Sequence, residues 1–196
     1  MNEVFLSASV PVKGRGDFYK DADPYLIQFA VREFVLAILG RQKIVFGGHP
    51  AITPMIVNIC KDLGLNFTDC VLLYQSKYFA GQYPEANAKF SNIIYTDAVD
   101  NDRKASLIRM REEMLSRSNL TAAIFIGGME GVLEEYELFT RLHPDAAILA
   151  VTAPGGAAKQ LAERLPTYNT EEPQGMDFAR LFYNGLKIDP REQRKV

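Results

Sequence analysis

The chain has 196 residues, of which 47% are hydrophobic and 23% charged, a balance typical of a single globular domain. Its formal net charge of −2, with both signs mixed along the chain, excludes a broad basic surface for duplex nucleic acid, so the ligand should be small. The sequence contains neither an apolar run of about 20 residues nor a secretion-type leader, so a cytoplasmic protein without membrane contact is expected.

Apolar runs and amphipathic segments alternate along most of the chain. The β-type runs predict strands at residues 4–6, 43–46, 70–74, 92–96, 122–126 and 147–151. Helical spacing of apolar residues predicts helices at residues 24–40, 53–64, 102–118, 131–142 and 157–165, with a shorter one at 177–184. The segment 75–90 carries aromatic residues without a clear period and receives no assignment.

Two of the helix starts carry the same local signal, a capping side chain followed by proline. Asp23 precedes Pro24, and Thr53 precedes Pro54. The side chain of a capping residue accepts hydrogen bonds from the first backbone N–H groups of the helix, and proline has no N–H to leave unsatisfied. Both positions are therefore predicted helix N-termini.

The alternation of strands with helices predicts an α/β fold, a single Rossmann-like, doubly wound, mostly parallel sheet with helices on both faces. Parallel neighbours need crossover connections, and right-handed crossovers place helices on the two faces. Residues 1–165 are assigned to this nucleotide-binding domain. Residues 166–196 are assigned to a helical extension with a charged tail that frays at its end.

Four loops follow strands at the edge where open α/β sheets bind their ligands. They are Ser7-Ala8-Ser9, Gly47-Gly48-His49 with residues 50–53, Gly127-Gly128-Met129-Glu130-Gly131, and residues 152–156. Glycine lets the backbone approach a ligand closely, and the helix that follows offers unpaired N–H groups to an anion. A phosphorylated ligand is therefore expected, while packing of tight turns is the alternative role of these glycines.

Fingerprints of the common cofactor and metal sites are absent from the sequence. No GxxxxGK[ST] occurs and no GxGxxG opens the first crossover, which disfavours P-loop and NAD-dehydrogenase functions, so no cofactor is expected. The chain has two histidines and no Cys/His/Asp cluster with ligand spacing, and no metal site is predicted. Cys60 and Cys70 lie in apolar runs and are interpreted as buried structural thiols.

The third glycine loop resembles the signature of a known family. The stretch Phe125-Ile126-Gly127-Gly128-Met129-Glu130-Gly131-Val132-Leu133-Glu134-Glu135 is similar to the PGGxGTxxE motif of the LOG proteins, phosphoribohydrolases that release cytokinin bases from nucleoside monophosphates. Val45-Phe46-Gly47-Gly48 is similar to that family's earlier glycine loop, and Ser7-Ala8-Ser9 lies where its first ligand loop begins. The similarity spans about residues 3–152 and extends to the SLOG superfamily, which includes DprA/Smf-like proteins and nucleotide-sensing domains of bacterial defence systems.

The resemblance implies roles for individual residues. Arg111 falls where LOG enzymes carry an arginine and would bind phosphate, while Glu135, with Glu134 as the near alternative, would stabilise the charge that develops on the ribose as its glycosidic bond breaks. If the resemblance does not extend to activity, Arg111 is a solvated residue and the glutamates form an exposed acidic face. The implied ligand-binding residues are Ser7, Ala8, Ser9, Gly47, Gly48, His49, Gly127, Gly128, Met129, Glu130, Gly131 and Val132.

The signature departs from the LOG pattern in three places. Ile126 replaces the proline, an extra residue separates Gly128 from Gly131, and Val132 replaces the threonine. The last change removes a hydroxyl that could contact phosphate, so the departures weaken the enzyme hypothesis more than the fold. The second loop, GGHPAITPMI, is closer to the SLOG domains of defence and signalling systems, which bind messengers such as cyclic or linear ADP-ribose.

Three functions follow from these observations and stay open. The leading hypothesis is a nucleotide-binding SLOG-type domain that recognises an ADP-ribose-like or other nucleotide-derived signal, with phosphates on the two Gly-Gly loops. The first alternative is a LOG-like phosphoribohydrolase that cleaves the N-glycosidic bond of a nucleoside 5′-monophosphate, and the second is a non-catalytic assembly module. The resemblance also leaves open a homodimer and an effector protein as partners.

A few residues outside the signature have open roles. His49 follows Gly-Gly at a strand end, where it could hydrogen-bond a phosphate or a base. Arg15 and Tyr19 lie in the loop after strand one, which fits either a lid or an ordinary solvated loop. Apolar positions of the predicted helix 102–118 and Phe139 fit either a dimer face or core packing.

Overall fold

The computed structural model describes residues 2–64, 70–165 and 175–194. Within these ranges the strands are β1 (Glu3–Ser9), β2 (Lys43–Phe46), β3 (Val71–Ser76), β4 (Ile93–Thr96), β5 (Leu120–Gly127) and β6 (Ala147–Val151). The α-helices there are α1 (Pro24–Ile38), α2 (Thr53–Asp62), α3 (Arg103–Leu115), α4 (Glu130–Leu142), α5 (Gly156–Ala162) and α6 (Phe178–Gly185). Short 3₁₀ helices cover Phe18–Lys20, Lys77–Phe79 and Glu85–Lys89. The predicted strands and helices are thus confirmed, with small shifts at their ends.

The strands form one parallel sheet in the order β4-β3-β2-β1-β5-β6. Each neighbouring pair among the described strands is parallel, so the sheet is more regular than the mostly parallel arrangement that the sequence predicts. The chain builds outward from β1 to β4, then returns to the other side of β1 with β5. Such a reversal creates a crevice at the carboxyl ends of the two strands that flank it, β1 and β5.

Helices cover both faces of the sheet, which confirms the doubly wound fold. Side chains alternate along β1, so that Val4 and Leu6 pack with α1, α2 and α6, while Phe5 packs with α3, α4 and α5 on the opposite face. All three side chains are at most 2% exposed. Because both faces of the central strands are buried, these strands are mainly apolar rather than alternating, as expected of parallel strands.

The two predicted helix caps have different outcomes. Asp23 is the N-cap of α1, and its Oδ1 accepts hydrogen bonds from the backbone N–H groups of Tyr25 at 2.8 Å and Leu26 at 3.1 Å. Thr53 is already the first residue of α2, and its Oγ1 instead accepts a hydrogen bond from the His49 backbone N–H at 3.0 Å. The Thr53 hydroxyl therefore holds the preceding loop rather than capping the helix.

Phe139 belongs to the core and not to a surface that a second copy could contact. Its side chain is 0% exposed, and its ring stacks on Phe5 with centroids 6.1 Å apart. Met110, Met114 and Leu115 of α3 are buried in the same cluster. The dimer-face hypothesis is therefore wrong for these apolar residues of α3 and α4.

The C-terminal extension packs against the domain that precedes it. Phe178 and Phe182 of α6 are buried in the core, and the Phe182 ring meets Phe34 of α1 edge to face at 5.5 Å. Beyond α6, Arg194 donates a hydrogen bond to the Leu36 carbonyl at 2.5 Å. Residues 166–174 and 195–196 of the predicted extension, including the end that is expected to fray, lie outside the described ranges.

Both cysteines are buried, as predicted for structural thiols. Burial, with a smaller contribution from neighbouring Cys70, raises the pKa of the Cys60 thiol to about 12. A thiol with so high a pKa is protonated at neutral pH and therefore a poor nucleophile.

Over the described ranges, no helix combines the length and apolar character that a membrane crossing requires.

Candidate functional site

A cavity opens at the carboxyl ends of β1 and β2, between α3, from Arg103 to Arg111, and the first two turns of α4. Its volume is about 620 Å³, within the roughly 300–1,000 Å³ typical of small-molecule sites. It lies beside the point where the strand order reverses, the position at which doubly wound sheets bind ligands. The fold therefore supplies a site of the expected size at the expected place.

Most of the residues that the sequence singled out line this cavity. They are Ser7, Ala8, Ser9, Gly47, Gly48, His49, Met129, Glu130, Gly131 and Val132, together with Arg111, Glu134 and Glu135. Gly127 and Gly128 do not line it. Residues from three separate loops, up to about 130 positions apart in the sequence, thus converge on one cavity.

The loop after β2 is held in place from behind by Gln75. The Gln75 side chain is buried and its Nε2 donates a hydrogen bond to the Gly47 carbonyl at 2.9 Å. Gly48 has φ +62°, and a Cβ at this position would lie 2.0 Å from Gln75 Nε2. Glycine is required here by both backbone conformation and space, and its backbone borders the cavity directly.

Gly127 and Gly128 shape the site from behind it. The Gly128 N–H donates to the Ser9 carbonyl at 2.8 Å, which joins the ends of β1 and β5. A Cβ on Gly127 would lie 2.6 Å from the Ile27 side chain, and one on Gly128 would lie 2.2 Å from Val132. These two glycines permit close packing, which is the alternative role considered for them, while Gly131 in the first turn of α4 borders the cavity.

The fourth predicted loop, residues 152–156, does not line the cavity. The backbone N–H of Gly156, where α5 begins, donates to Asp21 Oδ1 at 3.3 Å, so a carboxylate of the protein occupies this helix N-terminus. A Cβ on Gly156 would lie 2.9 Å from the Gly127 backbone. This loop supports the preceding glycine loop, and the first N–H groups of α5 already have partners within the protein.

Arg111 forms the centre of an ion-pair network on the cavity wall. Its Nε donates to Glu135 Oε1 at 3.0 Å, and its Nη1 donates to Glu134. Glu135 also accepts a hydrogen bond from the Ser7 hydroxyl at 2.5 Å. The Arg111 and Glu135 side chains are only 13% and 17% exposed, whereas the Glu134 side chain is 49% exposed. Arg111 and Glu135 therefore form part of the cavity wall and are not a solvated surface pair.

His49 lies half-buried at the cavity wall with its ring oriented by the loop. Its Nδ1 accepts a hydrogen bond from the Ala51 backbone N–H at 3.2 Å. In the neutral ring this places the proton on Nε2, which becomes a hydrogen-bond donor. Burial, and to a smaller degree the positive charge of Arg15, lowers the pKa of His49 below its ordinary value of 6.5. His49 is therefore neutral at pH 7.

Three basic side chains at the mouth of the cavity were not predicted as ligand-binding residues. Arg15 borders it from the loop after β1, and Arg103 and Lys104 border it from the first turn of α3. The loop containing Arg15 thus covers part of the site, whereas Tyr19 does not reach it. Basic residues in a first turn oppose the helix dipole. That unfavourable placement was the one available sequence signal for Arg103 and Lys104.

The described residues offer no arrangement for a metal ion. Within these ranges, no group of three or more His, Cys, Asp or Glu side chains is placed to hold one. The polar groups that converge on the cavity are instead glycine-loop backbone, hydroxyl, carboxylate and cationic groups. Such a mixture suits a polar organic ligand with both anionic groups and hydroxyls.

Comparisons with known proteins agree with the architecture. The sequence model of the SLOG cluster3 family matches residues 17–186. Among solved structures, the X-ray structure of TM1055, a Northeast Structural Genomics Consortium target, is similar with a TM-score of 0.56 at 12% identity, covering 90% of this chain and 89% of that chain. At that identity the likeness shows the fold alone. None of the curated proteins matches the chain.

Proposed function

The chain belongs to the SLOG cluster3 family, and we propose that its cavity binds a nucleotide-derived ligand, which the protein senses without consuming it. The observation that carries this proposal is the convergence of the β1 end, the Gly47–His49 loop and the first turns of α3 and α4 on one cavity. The glycine backbone, neutral His49 and basic mouth offer donors to phosphates and bases, and the carboxylates of α4 offer acceptors to ribose hydroxyls.

The finer form of the proposal is recognition of an ADP-ribose-like signal. A cavity of about 620 Å³ has room for more than a single phosphate or base. The resemblance of the Gly47-Gly48-His49 loop to SLOG domains of defence systems supports a messenger of this class, in a cytoplasmic signalling pathway with an effector protein as partner. A homodimer would have to form through surfaces other than the buried residues of α3 and α4.

The ion pairs that Arg111 forms favour sensing over hydrolysis. In the hydrolase hypothesis this guanidinium binds the phosphate, but here it is paired with Glu134 and Glu135. Val132 adds no hydroxyl at the position where the LOG signature has threonine, and its side chain is 4% exposed. Binding without turnover therefore requires fewer rearrangements of the observed contacts than catalysis does.

The experiment is isothermal titration of the purified protein with ADP-ribose, cyclic ADP-ribose variants, NAD and AMP, followed by chromatography of each mixture. Saturable binding with the ligand recovered intact supports the sensor. Absence of saturable binding to every compound in this set overturns it.

The hydrolase remains a second candidate because of Glu135. Its carboxylate lies in the cavity wall, held by Ser7 and Arg111 in one orientation, as a group that stabilises developing positive charge on a ribose must be. The chromatography tests this candidate directly. Release of free base from AMP by the wild-type protein, lost in Glu135→Gln, would establish the enzyme and replace the sensor.

A further inference from the structure

We infer that the phosphates of the ligand bind at the Arg15, Arg103 and Lys104 side of the cavity, and that the glycine loop before α4 receives the uncharged, hydroxyl-bearing part. The inference rests on the proposed function, since it assigns positions within the same cavity. It differs, at the loop before α4, from the arrangement expected from the sequence, in which phosphates lie on both Gly-Gly loops. The ligand class that fits is a nucleoside with two or more phosphates.

The α4 side of the cavity carries negative charge. Glu130 is the first residue of α4, where its carboxylate already complements the positive end of the helix dipole. Glu134 and Glu135 follow on the same side, and Arg111 is the cation paired with them. One cation against three carboxylates disfavours a phosphate at this position, whereas carboxylates readily accept hydrogen bonds from ribose hydroxyls.

Three other side chains that line the cavity, one on the loop after β1 and two on α3, carry positive charge that the protein does not neutralise. Within the described ranges, no carboxylate forms an ion pair with Arg15, Arg103 or Lys104. Arg103 is positioned by an aromatic ring instead, with its guanidinium 5.9 Å from the Phe79 ring centroid. A cation held by a ring keeps its charge and its hydrogen-bond donors for an external anion.

Two elements contribute these cations, so the cluster is more than the polar face of one amphipathic helix. Arg15 comes from the loop after β1, and Arg103 and Lys104 come from the first turn of α3. The N-terminus of α3 is itself capped by Asp102, whose carboxylate accepts from the Ala105 N–H at 2.6 Å. The proposed anion contacts are therefore the three side chains rather than the helix end.

The spacing along α3 matches an extended ligand. Arg103 and Arg111 both border the cavity and lie eight residues apart, which corresponds to about 12 Å along the helix axis. This length separates the backbone of Arg103 from that of Arg111, whose side chain pairs with Glu134 and Glu135. A nucleoside polyphosphate can place its phosphates at one end and a sugar at the other, whereas a free phosphate ion would use only the mouth.

The test compares ADP-ribose with adenosine in the wild-type protein and in a double variant, Arg103→Ala with Lys104→Ala. Charge-assisted hydrogen bonds are lost only for the phosphorylated ligand, so its affinity should fall about tenfold or more, while adenosine affinity changes by less than about twofold. Arg109→Ala is the matched control, because Arg109 is a cation on the same helix that does not line the cavity. Its affinities for both ligands should stay unchanged.

A second variant, Glu130→Gln, distinguishes phosphates bound beside α4 from phosphates bound beside Arg15, Arg103 and Lys104. Phosphates at the α4 side would bind about tenfold more tightly once this charge is removed, which would overturn the inference. Phosphates at the mouth predict a change of less than about threefold. If the double variant binds ADP-ribose as tightly as the wild-type protein does, the inference is overturned and the proposed function stands. If the wild-type protein binds neither ligand, the proposed function and the inference are both overturned.

Discussion

The guanidinium of Arg111 and the carboxylate of Glu135 lie 3.0 Å apart, 24 residues apart in the sequence, and connect α3 to α4 across the wall of the cavity. The Ser7 hydroxyl extends this connection to β1 through the other oxygen of Glu135. Three elements that are distant in the sequence, β1, α3 and α4, are thereby joined at one point. The cavity shape consequently depends on a polar network as well as on the apolar core beneath it.

Loss of the Arg111 side chain should destabilise the protein measurably. Arg111→Ala leaves the half-buried Glu135 without its cation, and a cost of about 1–3 kcal/mol in the free energy of unfolding is expected. Urea denaturation provides the measurement. Arg109→Ala is the control, since the Arg109–Glu113 pair is 47% and 41% exposed and should contribute about 0.5 kcal/mol or less. Equal losses for the two variants would contradict the role given to the network.

A methyl group on Gly48 should disrupt the loop after β2. Gly48→Ala combines a left-handed backbone with a Cβ placed 2.8 Å from Leu73 and closer still to Gln75, so a loss of about 2–4 kcal/mol is expected together with weaker ligand binding. Gly64→Ala is the control, because it introduces the same backbone strain without a steric clash. Gly64 has φ +64°, no atom of the described residues lies within 4 Å of its Cβ position, and its substitution should cost about 1 kcal/mol. If both variants unfold at the same denaturant concentration, the collision with Gln75 is not significant.

The stability of the protein should decrease as His49 is forced to take up a proton. Because burial lowers its native pKa, the unfolded chain gains a proton at His49 as the pH falls below about 6.5, while the native state resists it. The free energy of unfolding therefore falls with decreasing pH between the ordinary and the native pKa, and this contribution disappears in His49→Gln. Denaturation curves from pH 7.5 to 5 measure the difference.

The same histidine provides a direct test of its neighbour. Arg15→Ala removes the positive charge that helps to lower the pKa of His49, so the pKa should move up toward 6.5. Proton NMR follows the titration, and His143→Gln assigns the signals, because the chain has two histidines. An unchanged pKa in Arg15→Ala would show that Arg15 does not face His49 in solution.

The tail after α6 should contribute to stability. Arg194 donates hydrogen bonds to the Leu36 and Leu39 carbonyls at the end of α1, and Arg194→Ala is expected to cost about 1–3 kcal/mol. Arg191 is the matched control, since its side chain is 91% exposed and its substitution should leave the denaturation midpoint unchanged. A midpoint that Arg194→Ala does not alter would indicate a tail detached from α1 in solution.

The fold could be predicted from the sequence because its signals are local. Apolar strands bounded by glycine, and the Asp23-Pro24 cap, report the backbone directly. The segment 75–90 resisted assignment because its 3₁₀ helices, Lys77–Phe79 and Glu85–Lys89, are too short to show a period. The prediction that Thr53 caps a helix was wrong, because its hydroxyl accepts a hydrogen bond from the His49 N–H in the preceding loop rather than from a helix N–H.

The site was predictable only in part. The glycine loops marked the correct sheet edge, but sequence could not show that Gly128 lies behind the cavity wall while Gly131 borders it, because both satisfy the same motif. Arg15 and Arg103 are brought to the mouth by a loop and a crossover helix, which no local pattern relates. Pairing of Arg111 with its carboxylates likewise depends on the packing of α3 against α4.

A two-dimensional NMR titration of the ¹⁵N-labelled protein with ADP-ribose tests the proposed nucleotide site most directly. Binding in this cavity predicts saturable shifts for the amides of Gly47, Gly48 and Gly131, which border it. It also predicts no shift for Glu3 and Arg117, an ion pair at the opposite end of the sheet. Absence of saturable shifts, or shifts that avoid the glycine loops, would contradict a nucleotide site in this cavity.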